Sequence, residues 1–234
     1  MEAIILAGGL GTRLRSVIKN TPKPMAIING HPFLEILLRH LKVKGFKKVI
    51  LCIGYLKEKI ISHFENLDIG IEIVYVIEDK LLGTGGAIKN ALEYTKNDHI
   101  YIFNGDTYQD FDLFKLKSLW EQYNLPIMLL RSADSKNRYG GVHIKGRKVV
   151  KFSTKSNIKA FYINAGIYVL PTNIFDSYNL PKKFSIEDFF EVNVSALNIT
   201  HCIAKNNTFI DIGTPADYDN IKDIDLKNWR QTLM

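Results

Sequence analysis

Residues 2–14, EAIILAGGLGTRL, place a short apolar run directly before a glycine-rich segment. The run Glu2–Ala7 combines branched and other apolar side chains, which favour a buried strand. Three glycines follow it, and then Arg13. In an open α/β sheet the ligand lies where a strand ends and its loop begins. The stretch therefore predicts an α/β fold with an anion-binding loop after its first strand.

Strand-like and helix-like segments take turns through the rest of the first half. The predicted strands are Lys48–Gly54, Ile71–Val76 and His99–Asn104, and the predicted helices are Phe33–Leu41, Lys57–Phe64 and Ala87–Tyr94. Such alternation implies right-handed crossovers. It predicts a mixed, mostly parallel, Rossmann-like sheet with helices on both faces.

The second half is less regular. Its predicted helices are Leu113–Tyr123, Ile186–Leu197 and a tail over Pro215–Trp229; its predicted strands are Ile127–Arg131, a hairpin of Asn137–Ile144 with Lys148–Phe152, Ala160–Leu170, Ile199–Ala204 and Phe209–Ile212. The hairpin predicts an antiparallel portion. The sequence shows no repeat, linker or low-complexity tract, so a single domain over residues 1–234 is expected.

Composition excludes several classes of protein. With 46% apolar and 24% charged residues among 234, the chain is not globally disordered and can form a large core. It has no apolar run of the roughly 20 residues that span a bilayer. Residues 1–7 lack a basic region, so no signal peptide is expected. Cys52 and Cys202 lie in apolar stretches, which predicts buried thiols in a reducing compartment and a cytoplasmic protein.

The net charge of +7, from 31 Lys+Arg against 24 Asp+Glu, does not identify a partner. It is compatible with nucleic acid, with an acidic membrane surface and with small phosphorylated substrates, and a lysine-rich surface explains it equally well. A nucleic-acid-binding protein would need a basic stripe with interleaved aromatic residues. The lysines are scattered, so neither nucleic acid nor a membrane is expected as a partner. Whether the chain forms a homo-oligomer is left open.

The first glycine-rich segment is suited to a phosphate. Glycines let backbone N–H groups approach phosphate oxygens closely, and Arg13 can neutralise their charge. Two better-known phosphate motifs do not match. A Walker A loop ends in Gly-Lys-Ser/Thr, whereas this loop has Gly11-Thr12-Arg13, and a dinucleotide fingerprint would need a glycine in place of Leu14. The alternative is a tight turn that simply needs glycine.

Two further segments could contact a nucleotide. Lys23 lies between Pro22 and Pro24, which restrict the backbone, so the lysine loses less entropy on binding a phosphate. The alternative is an ordinary surface loop. Residues 78–87, EDKLLGTGGA, follow the third predicted strand. Their glycines permit flat contact with a ring or a phosphate, Thr84 could cap the next helix, and Glu78 offers two acceptor oxygens. The alternative is a capped helix start with a solvated charged run.

Two aspartates end predicted strands far apart in the sequence. Asp106 follows Phe103-Asn104-Gly105, and Asp211 lies in Phe209–Ile212. Strand ends in an α/β sheet meet at the ligand edge, and two converging carboxylates bind Mg²⁺ well. Each aspartate alone could instead belong to a turn or a helix cap. Together with a phosphate loop they predict metal-assisted phosphate chemistry.

These four features, in this order, resemble the sugar-1-phosphate nucleotidyltransferases, or nucleotide-sugar pyrophosphorylases. The family pattern is Leu-Ala-Gly-Gly-x-Gly-Thr-Arg-Leu, then Lys-Pro-Met, an Asp closing a central strand and a late Asp. The chain matches it at Leu6–Leu14, at Lys23–Met25, at Asp106 and at Asp211. The resemblance covers essentially the whole chain. It implies one α/β domain of the nucleotide-diphospho-sugar transferase type, with Mg²⁺ as cofactor.

The resemblance also implies roles for individual residues. Arg13, Lys23 and Asp106 would be catalytic, and Asp106 and Asp211 would hold the metal. The nucleotide would be bound by Leu6, Ala7, Gly8, Gly9, Gly11, Thr12, Arg13, Lys23, Glu78, Gly83 and Thr84. The sugar phosphate would be bound by Gly105, Lys155, Asn164, Gly166, Glu187 and Asp188.

The base is predicted from hydrogen-bond chemistry. Guanine presents N1–H and N2–H₂ donors, which one carboxylate can accept. Guanylyl members of the family have a Glu ahead of a Leu-Gly-Thr-x-Gly run, and here Glu78 precedes Leu82–Gly86. This favours GTP, although a uridylyl subgroup has a similar arrangement.

The sugar is predicted from the short chain and from one segment. The chain most resembles the bacterial guanylyltransferases that act on D-glycero-α-D-manno-heptose 1-phosphate, and Asn164–Tyr168 matches the segment that contacts the sugar in the family. Related enzymes have a Glu-Lys pair before it, where this chain has Thr154-Lys155. Glu187 or Asp188 could supply the missing acid. Alternatively, both carboxylates could simply be stabilised by the positive end of a helix dipole.

The predicted reaction is transfer of GMP from GTP to the heptose 1-phosphate, by in-line attack on the α-phosphate. The alternatives are a mannose-1-phosphate guanylyltransferase, a uridylyltransferase of the same fold, and a non-catalytic regulator that binds a nucleotide sugar. Retention of Arg13, Lys23, Asp106 and Asp211 counts against the regulator.

Overall fold

The computed structural model describes residues 1–14, 17–132, 141–153, 161–204 and 209–222. Within them the strands are β1 (Glu2–Leu6), β2 (Ile27–Ile28), β3 (His31–Pro32), β4 (Lys48–Ile53), β5 (Glu72–Ile77), β6 (His99–Asn104), β7 (Thr107–Gln109), β8 (Ile127–Ser132), β9 (Gly141–Lys145), β10 (Lys148–Phe152), β11 (Tyr162–Pro171), β12 (Thr200–Ile203) and β13 (Phe209–Asp211). The helices are α1 (Phe33–Val43), α2 (Lys57–Glu65), α3 (Gly83–Ala91), α4 (Leu113–Tyr123), α5 (Ile186–Leu197) and α6 (Pro215–Lys222).

The chain divides into two compact units that alternate along the sequence. The first unit consists of the described residues within Met1–Leu81, Asn104–Tyr108 and Phe209–Met234, and the second of those within Leu82–Phe103 and Gln109–Thr208. The expectation of a single domain remains a prediction.

In the first unit, β5, β4 and β1 form a parallel sheet in that order. Four of the five residues of β1 and five of the six of β4 are buried. Strands buried on both faces need cover on both sides, which is why they contain almost only apolar residues. The shared strand direction brings Ala7, Gly54 and Glu78 to one edge of the sheet, because each follows the last residue of its strand.

A buried carboxylate lies on α1 of the first unit. Glu35 accepts a hydrogen bond from Arg39 Nε at 2.8 Å, and it contacts His63 Nε2 on α2 at 3.0 Å and His31 Nδ1 at 3.2 Å. Burial acts to raise the pKa of Glu35, but the hydrogen bonds from Arg39 and His63 and the neighbouring positive charge outweigh it, so the pKa is lowered. The cluster ties α1 to α2.

In the second unit the strand order is β6-β11-β8-β12-β10-β9, and β9 also pairs with β11. The long strand β11 is antiparallel to both β6 and β8, whereas β12 is parallel to β8. The hairpin of β9 and β10 turns between Lys145 and Lys148. The antiparallel portion predicted for the second half is confirmed, as is the α/β class with a mixed sheet.

Aromatic side chains fill much of the core of the second unit. Phe175, Phe184 and Phe189 contact one another, with ring centroids 5.2–6.3 Å apart. Phe190 extends the group to Tyr168 on β11, at 5.2 Å. Such pairs stabilise a core beyond the area they bury. They fix α5 against β11.

Several predicted boundaries are confirmed to the residue: β6, β10, α4 and α5. Polar caps explain two of them, since Asp112 accepts a hydrogen bond from Lys115 N at 3.0 Å and Ser185 accepts one from Asp188 N at 3.0 Å. The helix predicted over Ala87–Tyr94 is different: α3 begins at Gly83 and ends at Ala91, and a 3-10 turn covers Leu92–Tyr94. The predicted strand residues 137–140 and 160, and the predicted tail beyond residue 222, lie outside the described residues.

Both cysteines are buried and neither forms a disulfide, as predicted. Burial and the nearby Glu78 carboxylate raise the pKa of Cys52 well above its usual range, so this thiol stays protonated. In the described part of the chain, no helix has both the length and the apolar character needed to cross a membrane.

Candidate active site

The loop after β1 is anchored at both ends in the first unit. Ala7 donates its N–H to Cys52 O at 2.9 Å, and beyond the glycines a 3-10 turn covers Thr12–Leu14. Leu14 is fully buried in an apolar cluster with Phe33 and Ile212. Because Leu14 points into the core, its neighbour Arg13 is left exposed. The predicted phosphate loop is therefore held at its ends, and its charged residue faces solvent.

The glycines of this loop differ in what surrounds them. A Cβ on Gly8 would lie 2.7 Å from Glu78 Oε1, so the Glu78 carboxylate lies directly against the loop. Gly11 has a φ of +58°, and a Cβ there would lie 2.9 Å from Lys23 Cβ. A Cβ on Gly9 would meet no heavy atom of the described residues within 4 Å. Gly9 is thus the open position of the loop.

Lys23 opens a 3-10 turn over Lys23–Met25, with Pro22 in front of it and Pro24 within it. The turn is buried, and only 9% of Lys23 is exposed. Its ammonium group lies 2.5 Å from Asp106 Oδ2 and 3.8 Å from Asp211 Oδ1. A buried charge needs such partners. The structure therefore brings three predicted residues, from distant parts of the sequence, to one point.

The two aspartates are positioned by backbone contacts. Gly105, directly before Asp106, donates its N–H to Leu6 O at 2.9 Å, and a Cβ there would lie 2.7 Å from that oxygen. Asp106 O accepts the N–H of Ile212, the residue after Asp211, at 3.1 Å. These contacts join the ends of three chain segments, which explains why Asp106 and Asp211 converge.

The chemistry of this group suits a divalent cation. Two carboxylates supply hard oxygen ligands, and Mg²⁺ is usually held by one or two carboxylates together with substrate phosphates and water. Among the described residues, no group of three or more His, Cys, Asp or Glu side chains is arranged to hold a metal ion. The arrangement thus suits a cation that is completed by a phosphate ligand rather than one held by protein alone.

The second glycine-rich segment lies in the second unit, where it forms the start of α3. The backbone N–H groups of Gly85 and Gly86 both donate to Phe184 O, at 3.0 and 3.3 Å. A Cβ on Gly85 would lie 2.2 Å from the Phe184 ring. The glycines allow the helix to approach this segment, and the Phe184 carbonyl satisfies N–H groups that a helix start leaves free.

The prediction that Thr84 caps this helix is wrong. The N-cap is Leu82, without a side-chain cap, and the helix begins at Gly83, which has a φ of +73°. Thr84 instead accepts a hydrogen bond from Ile186 N at 2.9 Å and donates its hydroxyl to Glu187 Oε2 at 2.7 Å. The prediction failed because a run of glycines disfavours a helix unless tertiary contacts compensate.

The predicted sugar segment forms an irregular part of β11. The register with β8 shifts between Asn164 and Tyr168, and Gly166 has a φ of +74° within this bulge. Asn164 Oδ1 accepts the N–H of Gly166 at 2.9 Å, and its Nδ2 donates to Tyr168 OH at 2.5 Å. Burial and the Glu187 charge raise the pKa of Tyr168. These two hydrogen bonds fix the orientation of the Asn164 amide group within the bulge.

The two predicted acids of α5 differ. Glu187 is half-buried and its Oε2 accepts hydrogen bonds from Thr84 and Ser185, whereas Asp188 is exposed and donates only its backbone N–H to Ser185 Oγ. Lys155, predicted to bind the sugar phosphate, lies outside the described residues.

Sequence reasoning did not identify two polar residues beside these groups. Thr107 donates its hydroxyl to Asp106 Oδ1 at 3.1 Å, and Ser185 donates to Glu187 Oε2 at 3.1 Å. A signal existed for Ser185, since a Ser three residues before Asp188 is typical of a helix N-terminus. No comparable pattern marks Thr107.

Comparison with known proteins agrees with this arrangement. The sequence matches the nucleotidyl transferase family over residues 2–228, and the chain belongs to that family. It is therefore a nucleotidyltransferase, and the predicted nucleotide-diphospho-sugar transferase type of fold is confirmed.

Individual relatives share nearly the full length of the chain. D-glycero-α-D-manno-heptose 1-phosphate guanylyltransferase of Campylobacter jejuni is 46% identical over 93% of this chain and 97% of its own length. The enzyme of the same name from Aneurinibacillus thermoaerophilus is 41% identical over 93% and 95%. A crystal structure of HddC from Yersinia pseudotuberculosis complexed with GMP-PN superposes with a TM-score of 0.79 at 35% identity, covering 94% of this chain and 97% of that one.

Proposed function

We propose that this nucleotidyltransferase transfers GMP from GTP to D-glycero-α-D-manno-heptose 1-phosphate, producing GDP-heptose and pyrophosphate. The observation that carries the reaction type is the contact of the Lys23 ammonium group with the carboxylates of Asp106 and Asp211. The choice of GTP and heptose is supported by the two relatives of that name, which this chain matches over nearly their whole length.

The guanine base is proposed to bind at the edge of the first unit where β1 and β5 end. Glu78 would accept hydrogen bonds from N1–H and N2–H₂ of guanine, which are two donors on one edge of the base. The contact between the Glu78 carboxylate and Gly8 supports this, because it places an acceptor directly on the predicted nucleotide loop. Leu6, Ala7 and Thr12 would contribute backbone contacts on the same loop.

The triphosphate is proposed to lie against the open face of the loop. Gly9 leaves space for it, the exposed Arg13 would contact its oxygens, and Lys23 would neutralise charge from the other side. Gly83 and Thr84 remain predicted nucleotide contacts.

Asp106 and Asp211 would hold the divalent cation, which we propose is Mg²⁺. When bound, the cation supplies neutralisation of phosphate charge and fixes the orientation of the reacting groups.

The chemical step needs no nucleophile from the protein. A phosphate oxygen of the sugar 1-phosphate attacks the α-phosphorus of GTP in line, the new P–O bond forms, and the bond to the β-phosphate oxygen breaks with release of pyrophosphate. The attacking oxygen is already anionic, so no proton has to be removed by a general base. Positioning and charge neutralisation by Arg13 and Lys23 then provide the catalysis.

The sugar phosphate is proposed to contact the bulge of β11 through Asn164 and Gly166, with further contacts from Gly105 and from an acid at the start of α5, for which Glu187 and Asp188 are the alternatives. Lys155 would bind its phosphate. We further propose that the chain acts as a single cytoplasmic domain on small substrates, without nucleic acid or membrane as partners.

The substrate assignment is tested by measuring pyrophosphate release with each of GTP, UTP, CTP and ATP against heptose 1-phosphate and mannose 1-phosphate. We expect the highest kcat/KM for GTP with the heptose. Higher kcat/KM with UTP would overturn the base assignment, and higher kcat/KM with mannose 1-phosphate would overturn the sugar. Nucleotide-sugar binding without turnover of any pair would indicate a regulator.

The role of Asp106 is tested with Asp106→Asn, which keeps the shape but removes one charge from the pair of carboxylates. We expect kcat to fall by about 100-fold or more, because a metal ligand contributes several kcal/mol to the transition state. Higher Mg²⁺ concentrations should restore part of the lost kcat. Asp176→Asn, at an exposed position, is the matched control. Full activity of the Asp106 variant at low Mg²⁺ would refute the metal role.

A further inference from the structure

Glu187 is held by one of its two carboxylate oxygens. Oε2 accepts hydrogen bonds from Thr84 Oγ1 at 2.7 Å and from Ser185 Oγ at 3.1 Å. In the described part of the chain, no hydrogen bond or ion pair ends on Oε1. Two hydroxyl donors therefore fix the carboxylate, and they leave its second oxygen as an acceptor that no other described residue uses.

The two hydroxyls come from different elements of the second unit. Thr84 lies in the first turn of α3, and its own position is fixed because its oxygen accepts the N–H of Ile186 at 2.9 Å. Ser185 is the N-cap of α5 and accepts the N–H of Asp188. A carboxylate whose donors are themselves hydrogen-bonded is preorganised, so it loses little entropy when a ligand binds.

The neighbourhood of Glu187 is the predicted sugar segment. Phe190, on the same helix as Glu187, packs against Tyr168 of β11 with ring centroids 5.2 Å apart, and the Tyr168 hydroxyl is bonded to Asn164 Nδ2 at 2.5 Å. The Glu187 charge also contributes to the raised pKa of Tyr168. Asn164 in turn accepts the N–H of Gly166 in the bulge. The packing of α5 against β11 thus places Glu187 on a helix that contacts the segment containing Asn164.

Asp188 is different in each of these respects. It is exposed, and the contact that the structure gives it is through its backbone N–H. An acidic residue in the first turn of a helix is stabilised by the helix dipole alone. Asp188 is therefore the alternative acid with which Glu187 is compared.

We propose that Glu187 is the carboxylate that recognises the sugar, accepting a hydrogen bond from a sugar hydroxyl on Oε1, and that Thr84 and Ser185 are positioning residues for it. The proposal rests on the proposed function, since it concerns the sugar-phosphate substrate. It assigns to Glu187 the acid that is missing before Lys155. A half-buried acceptor of this kind discriminates against an analogue without the hydroxyl, because the acceptor then loses its hydrogen-bond partner.

The first experiment compares Glu187→Gln with Asp188→Asn. Thr84 and Ser185 would retain the amide oxygen of the glutamine, which turns its NH₂ group, a donor, toward the place of Oε1. We expect the KM for the sugar 1-phosphate to rise about 10-fold or more in Glu187→Gln, as for loss of a charged hydrogen bond. The KM for GTP should stay within about twofold of the parent. Asp176→Asn, at an exposed position to which no substrate contact is assigned, should leave both KM values unchanged. Asp188→Asn, the other candidate acid, should raise the KM for the sugar 1-phosphate by less than about twofold.

The second experiment tests Thr84 as a positioning residue. Thr84→Val removes the hydroxyl but keeps the shape, and Thr84→Ser keeps the hydroxyl. We expect Thr84→Val to raise the KM for the sugar 1-phosphate by about 3- to 10-fold and Thr84→Ser to restore it. A change confined to the KM for GTP would overturn this role and support a direct nucleotide contact. Thermal unfolding of each variant reports whether the fold is intact.

The outcomes separate this proposal from the proposed function. Both KM values are measured with whichever sugar 1-phosphate and nucleoside triphosphate the unmodified chain uses best. If the chain uses another pair but Glu187→Gln still weakens only the sugar, the heptose or GTP assignment fails and this inference stands. If the chain turns over GTP and heptose 1-phosphate and Glu187→Gln behaves like Asp188→Asn, the inference is wrong and the proposed function stands.

Discussion

The chain has two glycine-rich segments that look alike in sequence and serve different purposes. Residues 8–11, GGLG, leave an open position at Gly9, and Gly8 lies against the Glu78 carboxylate. Residues 83–86, GTGG, are in contact with the Phe184 segment, whose carbonyl accepts two of their N–H groups. At Gly9 the first segment has space for a ligand among the described residues, whereas in the second segment the N–H groups of Gly85 and Gly86 are used within its own unit.

The difference shows what a glycine can and cannot indicate. Absence of a side chain is required wherever any backbone approaches closely, whether it is a phosphate or another segment of the same chain. Only the identity of the neighbour distinguishes the two cases, and a neighbour such as Phe184, about 100 residues away, is not part of the local pattern. The contrast between the two segments is therefore tested first by disrupting the close contact of Gly85 with Phe184.

The largest effect is expected from Gly85→Ala. The added methyl group would lie 2.2 Å from the Phe184 ring, so either the helix or the ring must move. We expect the free energy of unfolding to fall by about 1–3 kcal/mol, the range for overpacking a core. Chemical denaturation measures it, and the KM for GTP should be unchanged while the protein is folded.

Asn90→Ala is the matched control for this substitution, because Asn90 is an exposed residue of the same helix. It reports the gain in helix propensity without any new contact. If Gly85→Ala is as stable as this control but binds GTP more weakly, Gly85 faces the nucleotide rather than Phe184, and the contrast between Gly85 and Gly9 disappears.

A smaller effect of the opposite kind is expected from Gly9→Ala. Among the described residues the methyl group meets no heavy atom within 4 Å, and the φ of Gly9 is not in the left-handed region, so stability should change by less than about 0.5 kcal/mol. The KM for GTP should rise about 10-fold, because the methyl group fills the space proposed for the phosphates. Steady-state kinetics and thermal unfolding measure the two quantities. A stable variant with an unchanged KM would show that no phosphate approaches this glycine.

The smallest effect is expected from Gly8→Ala, which tests the base contact. The methyl group would lie 2.7 Å from Glu78 Oε1, the far end of a flexible side chain that can move aside. Displacing the proposed acceptor should lower the ratio of kcat/KM for GTP to that for UTP by about 3- to 10-fold, with little loss of stability. An unchanged ratio would indicate that Glu78 does not distinguish the bases.

Much of the fold was predictable because local signals and tertiary structure agree. The bounds of α4 and α5 follow from an apolar repeat and a polar N-cap, and β6 is a continuous buried run. The start of α3 was not predictable, since glycine has a poor helix propensity and the compensating contact comes from Phe184. The two-residue strands β2 and β3 are too short to produce a pattern.

Some residues of the candidate site were likewise predictable from the sequence, and others were not. Lys23, Asp106 and Asp211 were predicted as a group from the family resemblance, and the structure brings them together. The hydroxyls of Thr107 and Ser185 were not predicted, because a hydrogen bond to a neighbouring carboxylate leaves no periodic trace in a sequence. What sequence reasoning left open between Glu187 and Asp188 depends on burial and on Thr84, which only three-dimensional structure supplies.

Folding is coupled to proton release through Glu35, the carboxylate on α1 that contacts Arg39 and His63. Since the pKa of Glu35 is lower in the folded chain than its ordinary value of 4.5, the unfolded chain binds more protons between these two values. The stabilisation from Glu35 is complete above the higher value and is lost as the pH falls through the lower one. In mildly acidic solution near that range, each molecule that folds releases part of a proton from a residue that takes no part in the proposed reaction.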